Sequence, residues 1–181
     1  MTRIKKKNQN KIIVCGGNGA GKSTLGRKLA QELGWKFMDI EDYYFPPNNT
    51  NYNYSEARTK EEVIDLLLQD MKRYNNLVLA CVKGNYGPEV ASMFTSAILI
   101  DVPKEIRMKR VRDRSYQKFG DRMLPGGDLY EKEERFFDMV EQRSEKDVTE
   151  WLDTINIPVI RVDGTQTIED NCETITSMLC L

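Results

Sequence analysis

The sequence predicts a three-layer α/β domain in which helices cover both faces of a five-stranded parallel sheet. Three observations predict it. Five short runs read as strands, at 11–15, 35–40, 77–82, 97–102 and 157–162. Stretches with apolar residues at helical spacing lie between them, and strands that alternate with helices make βαβ units around a parallel sheet. Most of the runs are continuously apolar rather than alternating, as strands buried on both faces are.

In chain order, Lys11-Ile12-Ile13-Val14-Cys15 is the first buried strand. A glycine-rich turn follows, then Leu25, Leu29 and Leu33 at helical spacing, closed by Gly34. Trp35 to Ile40 is the second strand, and residues 41–55, rich in Asn, Tyr and Pro, are read as loop. A helix is expected from about Arg58 to Tyr74, with Val63, Leu66, Leu67, Met71 and Tyr74 on its apolar stripe. The third strand, 77–82, ends in a turn marked by Gly84 and Gly87. The fourth, 97–102, leads into a helix that has Pro103 at its first turn and carries Arg107, Arg110 and Arg114. From about 115 to 134 the chain is highly charged and interrupted by Pro125, Gly126 and Gly127, which reads as an excursion from the core. A helical stretch from Leu129 to Trp151, the strand at 157–162 and a last helix with Ile168, Cys172, Ile175 and Leu179 complete the order. No internal repeat or second domain is evident, so residues 1–181 are read as one domain, large enough to bury a core.

Composition narrows the function. Hydrophobic residues at 40% and charged residues at 30% are those of a soluble globular protein. No apolar run approaches the ~20 residues that cross a bilayer. The basic cluster Arg3, Lys5, Lys6 and Lys7 is followed only by Ile12, Ile13 and Val14 before glycines begin, too short for a signal-peptide core. A basic, solvated tail over about 1–10, no membrane partner and a cytoplasmic location are the expectations. A net charge of −1 argues against nucleic acid as a partner. The absence of histidine removes every mechanism that needs a His base and most zinc sites. Cys15, Cys81, Cys172 and Cys180 are widely separated with no CxxC pair, and are read as small core residues in a reducing cytosol.

Gly16-Gly17-Asn18-Gly19-Ala20-Gly21-Lys22-Ser23 satisfies GxxxxGK[ST] at every required position, with a strand before it and a helix after it. Glycines let the backbone wrap around phosphate, its N–H groups form an anion nest, and the helix that opens near Lys22 adds its positive end. Lys22 then reaches the β- and γ-phosphates, the Ser23 hydroxyl holds Mg²⁺, and Thr24 touches the α-phosphate. Asp39, Glu41 and Asp42 fall at the carboxyl end of the second strand, where open parallel sheets place their ligands. A carboxylate there holds a Mg²⁺ water or takes an acceptor's hydroxyl proton, Asp39 first and Asp42 as the alternative. The third strand has no Asp at its end, which argues against switch-type GTPases and motor ATPases.

With this motif, its length and its strand pattern, the chain resembles the nucleotide and shikimate kinase group of P-loop proteins, small AAA-family-ATPase-like kinases, over essentially its whole length. The resemblance implies a P-loop NTPase-type fold with a helical lid over about 115–134, an acceptor site over about 41–75, ATP and Mg²⁺ as cofactors, and a small-molecule acceptor. Phe37-Met38-Asp39-Ile40-Glu41 is similar to the FxDxD signature of shikimate kinases, with Glu41 in place of the second Asp. Arg58-Thr59-Lys60-Glu61 resembles the Arg-x-x-Glu whose Arg holds an anionic group of the acceptor, and Gly84 falls where that group has a glycine-rich acceptor loop. Arg107, Arg110 and Arg114 share one helix face. By resemblance Arg110 stacks on adenine, Arg114 and Arg122 clamp the transferring phosphoryl, Arg143 binds the acceptor, and the loop at Gly164 passes the adenine edge. The Tyr- and Asn-rich stretch (Tyr43, Tyr44, Asn48, Asn49, Asn51, Tyr52) suits a polar ring as acceptor. The hydroxyl of a nucleoside, cyclitol or similar metabolite is the expected acceptor. A nucleoside monophosphate kinase, in which Arg58 and Arg143 hold the acceptor phosphate, and a nucleotide-binding regulatory module with weak ATPase activity are the alternatives, and the oligomeric state is left open.

Overall fold

A computed structural model describes residues 9–45, 57–144 and 146–179. The basic cluster Arg3 to Lys7, residues Asn48 to Tyr54 of the Tyr- and Asn-rich stretch, and Cys180 lie outside the described residues. The five expected strands are present as β1 (Asn10–Cys15), β2 (Lys36–Asp39), β3 (Asn76–Ala80), β4 (Ser96–Asp101) and β5 (Val159–Asp163). They form one parallel sheet in the order β2-β3-β1-β4-β5. β1 is its centre, with Val14 in register with Ala80 on one side and Ile98 on the other. The chain leaves β1 toward β3 and β2 and then crosses back to β4, so the carboxyl ends of β1, β3 and β4 border the crevice where the winding reverses.

Alternation along each strand feeds two cores. Ile13 and Cys15 join Leu77, Leu79 and Leu99 on one face. That face lies under α3 (Lys60–Arg73), α4 (Pro88–Met93) and α7 (Asp147–Asp153) through Val63, Leu67, Val90 and Leu152. Ile12, Val14, Val78 and Ile98 point to the other face. There α1 (Lys22–Leu33) and α8 (Ile168–Leu179) cover them with Leu25, Leu29, Cys172 and Ile175. Cys15, Cys81 and Cys172 are buried thiols, as expected of small core residues.

The structure departs from the sequence expectation at three helices. Residues 41–44 are not loop but part of α2 (Ile40–Tyr44), because the Asp39 carboxylate accepts a hydrogen bond from Glu41 N at 3.1 Å and caps the turn. Pro88 sits in the first turn of α4, a short helix the sequence reading left within the connection after β3. The stretch from Leu129 to Trp151 is two helices, α6 (Tyr130–Gln142) and α7, separated by an extended Arg143. They serve different cores. Val148 and Leu152 of α7 pack on the sheet, whereas Phe137 of α6 packs against Val111 and Met123 in a satellite cluster. That cluster ties α6 to α5 (Lys104–Phe119) and to the short 3-10 turn at Gly120–Met123. Among the described residues, no helix is long and apolar enough to cross a membrane.

Gly84 has a packing reason to be glycine. A Cβ there would stand 2.7 Å from the Trp151 ring and 2.8 Å from Cδ1 of Ile13. Gly84→Ala is therefore expected to cost about 1–3 kcal/mol through overpacking, read as a lowered urea midpoint at unchanged slope. An unchanged midpoint would mean that α7 shifts freely.

Candidate active site

The β1–α1 turn folds as its glycines dictate. Gly16, Gly19 and Gly21 have φ of 152°, 80° and 96°. At Gly19 a side chain is doubly excluded, since the conformation is left-handed and a Cβ would collide with the backbone of Arg107. The N-cap of α1 is Gly21, with no side-chain cap, so the first amides of the helix face the turn's hollow with no competing side-chain acceptor. Ser23 and Thr24 follow on the first turn, Ser23 half-buried and Thr24 exposed.

Lys22 curls over this turn, and its Nζ donates to the carbonyl oxygen of Gly17 at 2.8 Å. Burial lowers its pKa to about 8; Arg114 pushes in the same direction, while Glu41 pulls it back up. Both charges act on Lys22 through space, with no hydrogen bond or ion pair to it among the described residues. A consequence follows for pH. The ammonium that attracts phosphate is present below about pH 8 and lost above it. Bound phosphate restores the proton, so affinity for Mg·ATP is expected to hold between pH 7 and 8 and then fall by up to about tenfold per pH unit. Calorimetric titration from pH 7 to 9.5 reads this, and Lys22→Met should flatten the dependence. A flat wild-type profile would contradict it.

Two clefts meet at the P-loop. The smaller, about 430 Å³, lies over the carboxyl ends of β4 and β5 and is lined by Gly17, Asp101, Arg107, Asp163 and Thr165 among others. Arg107 stands against Gly17, with its Nε donating to Val102 O at 3.0 Å. Arg110 reaches across to donate to Gly164 O at 3.1 Å, and Gly164 itself packs on Val102 and Ala20. The larger cleft, about 1060 Å³, runs from Asn18 between α2, the loop after β3, and the paired helices α5 and α6. Asn18, Val82, Arg143 and Asp147 border both. Arg143 bridges them, donating to Asn18 Oδ1 at 2.7 Å.

The structure gathers some of the candidate residues and disperses others. Glu41, Arg114 and Arg143 line the larger cleft, and Arg114 makes no hydrogen bond or ion pair among the described residues. Asp39 is buried behind them at the end of β2, its carboxylate engaged in capping α2. Asp42 is exposed and borders neither cleft. Arg58 closes the ends of the α2–α3 connection, donating to Tyr43 O at 2.8 Å. Arg122 is held by Asp128 on the exposed excursion, in a bidentate pair at 3.0 and 2.6 Å. Gly84 borders neither cleft, and its neighbours Lys83, Asn85 and Tyr86 face the larger one instead.

At the end of β3, where the sequence has no Asp, stands Cys81. Burial pushes its thiol up to about 11, so it is a neutral group on the cleft floor, near the Tyr86 hydroxyl. Of the wall opposite, sequence reasoning named Arg143 alone. Lys132, Phe136 and Met139 of α6 line the cleft at spacings of four and three, a helical stripe legible in the sequence, and Arg143 follows just past the end of the helix. Sequence reasoning also left Arg107 without a role, though Arg107 is the member of the arginine face that meets the P-loop.

These features match known proteins in sequence and fold. The family described as AAA domain matches residues 12–138. The uncharacterized protein YqaC of Bacillus subtilis (strain 168) is 28% identical over 169 residues, 89% of each chain. A probable gluconokinase of Rattus norvegicus is 36% identical over 77 residues, 39% of this chain and 42% of that protein. Among solved structures, shikimate kinase from Bacteroides thetaiotaomicron aligns with a TM-score of 0.61 at 16% identity, over 96% of this chain and 99% of that one. A gluconokinase from Sinorhizobium meliloti 1021 aligns with a TM-score of 0.54 at 14% identity, over 96% and 97%. The match over residues 12–138, together with a sheet and P-loop laid out as in these kinases, leads to one conclusion: the chain belongs to the AAA domain family and has the fold of its small P-loop kinases.

Proposed function

We propose that the protein is a small-molecule kinase that transfers the γ-phosphoryl group of ATP to an acceptor bound in the larger cleft. The observation that carries this reading is the P-loop, where Asn18 joins the two clefts and holds Arg143, with Glu41 and Arg114 lining the larger one. The rat relative's name, probable gluconokinase, supports it. ATP would lie with its phosphates on the amides of Gly16 to Ser23 and its base toward Arg110 and Gly164. The Ser23 hydroxyl and the Asp39 carboxylate are oxygen donors of the kind Mg²⁺ takes while it keeps several waters. Among the described residues no group of three or more His, Cys, Asp or Glu side chains offers a protein-only metal cage, which fits an ion shared with phosphates. Bound there, Mg²⁺ would neutralise charge on the β- and γ-phosphate oxygens.

In the transfer, the bond from the γ-phosphorus to the ADP oxygen breaks as a bond to an acceptor hydroxyl oxygen forms. The proton released passes to a carboxylate, for which Glu41 faces the cleft, with Asp39 behind it. Lys22 and Arg114 offset the charge on the moving phosphoryl, and Arg143 ties the acceptor side to the P-loop through Asn18. Arg122 would join them only on leaving Asp128, and Asp42 only through a movement of α2. The test is a coupled ADP-release assay with Mg·ATP against nucleosides, nucleoside monophosphates, cyclitols and sugar acids. One acceptor is expected to raise turnover at least about tenfold over background. Tight ATP binding with a flat response across the panel would overturn the kinase reading in favour of a regulatory nucleotide-binding module.

A further inference from the structure

The wall that α5 and α6 give the larger cleft holds two largely buried residues whose polar side chains have no partner among the described residues. Glu133 of α6 is 3% exposed and lines the cleft, yet its carboxylate makes no hydrogen bond or ion pair among the described residues. No fully buried side-chain oxygen among those residues lacks a partner, so the Glu133 carboxylate opens into the cleft. Ser115 of α5 is 6% exposed, lines the same cleft, and has a hydroxyl that likewise bonds to nothing. The adjacent carboxylates behave differently. Glu134 pairs with Arg112 at 3.2 Å and Glu131 with Arg135 at 3.6 Å, both at exposed positions. A carboxylate that opens into a cleft with no protein donor beside it keeps its acceptor positions available to a ligand's donors.

The rest of the cleft says what kind of ligand that is. Tyr44, Phe45, Tyr86, Phe119 and Phe136 all line it. These rings stand in the lining beside charged groups, Glu41, Arg114 and Lys132 among them. A planar heterocycle packs against rings and presents its polar edge to one side, a closer match to that mixture than a polyol with hydroxyls all round. On the reading of this cleft as the acceptor site, we propose that Glu133, with Ser115 beside it in the same wall, binds the N–H donor edge of a flat, amino-bearing heterocycle. This makes Glu133 the specificity-determining residue for the acceptor. The site would then favour an amino-substituted ring over its deamino analogue, and over gluconate or shikimate.

The test is titration calorimetry on the full chain, saturated with a non-hydrolysable ATP analogue so that the phosphate site is filled. The probes are cytidine and guanosine, each against its analogue lacking the exocyclic amino group, with gluconate and shikimate alongside. At least one amino nucleoside is expected to bind about tenfold or more tighter than its deamino partner, since unpaired polar groups reject the analogue strongly. Glu133→Gln should bring each pair within about twofold of each other at an unchanged thermal midpoint, because the amide keeps the shape but loses the charge and replaces one of the two acceptor oxygens by a donor. If that variant misfolds, Glu133→Asp, which keeps the charge but withdraws it by one methylene, is expected to shrink the discrimination instead. Equal binding within both pairs, discrimination that survives both variants, tighter binding of gluconate or shikimate, or no binding of any nucleoside would each overturn the assignment. None of these needs turnover, so failure here leaves the kinase reading intact, and a flat ADP-release panel leaves this one to stand on binding.

Discussion

Replacing Lys22 with alanine is expected to reduce ATP-dependent turnover by about 10³-fold or more while leaving the fold in place. The ammonium bonds directly to the P-loop backbone, at 2.8 Å from Gly17 O, closer than the Arg107 guanidinium at 3.5 Å from Asn18 O. It therefore stands where the β- and γ-phosphates must come, and loss of one preorganised charge-stabilising donor at such a point costs on the order of 10²–10³ in rate even when a neutral group is removed. A full positive charge in a partly desolvated site is worth at least as much. The fold should tolerate the change, because burial already disfavours the charged lysine in the empty protein. Steady-state kinetics with a responsive acceptor, beside thermal unfolding of the same preparation, reads both halves. Activity within about tenfold of wild type would remove the P-loop from the mechanism.

Arg114→Ala should lower kcat by about 10²-fold or more and change the KM for ATP by less than about threefold. Arg114 lines the larger cleft, lies in the electrostatic field of Lys22, and has no hydrogen bond or ion pair among the described residues. An arginine placed so contributes little to ground-state nucleotide binding. Its planar fork acts when charge spreads onto the γ-phosphoryl oxygens, the setting in which such arginines are worth 10³–10⁵ in kcat in other phosphoryl-transfer enzymes. Arg114→Lys should restore only part of the loss, since an ammonium lacks the bidentate geometry. A variant that raises KM for ATP and spares kcat would make Arg114 a nucleotide-binding residue instead. The comparison with Arg122 is informative, because Arg122 is already satisfied by Asp128.

Much of the architecture was legible because it is local. The strand runs, the P-loop glycines, Gly34 as a C-cap and Pro103 at a helix start each declare themselves within a few residues. Even the missed α2 had a local sign, an Asp followed two residues on by the amide it caps. The larger cleft was legible only in part, since Glu41, Arg114 and Arg143 line it but other expected residues do not. Gly84 reads in sequence as a place for a ligand to come close, but the neighbour it makes room for is Trp151, 67 positions along the chain. Arg58 reads as an anion holder, and its guanidinium is bonded to the Tyr43 carbonyl. Glu133 looks like one more charge on a solvated helix until the packing of α6 on α5 buries it. These are tertiary facts, and no periodicity encodes them.

The arginine face of α5 carries a mechanical consequence. Its first two turns are moored to the P-loop side, Arg107 to Val102 and Asn18, and Arg110 to Gly164. Arg114 sits seven residues past Arg107, about 10 Å along the axis, in the wall of the larger cleft, and the same helix continues into the excursion that α6 completes. One stiff spar thus spans both ligands, and neither can press on it without the other feeling the load. The two substrates are therefore expected to bind with synergy rather than independently, each lowering the work the other must do to bring the far end of α5 home.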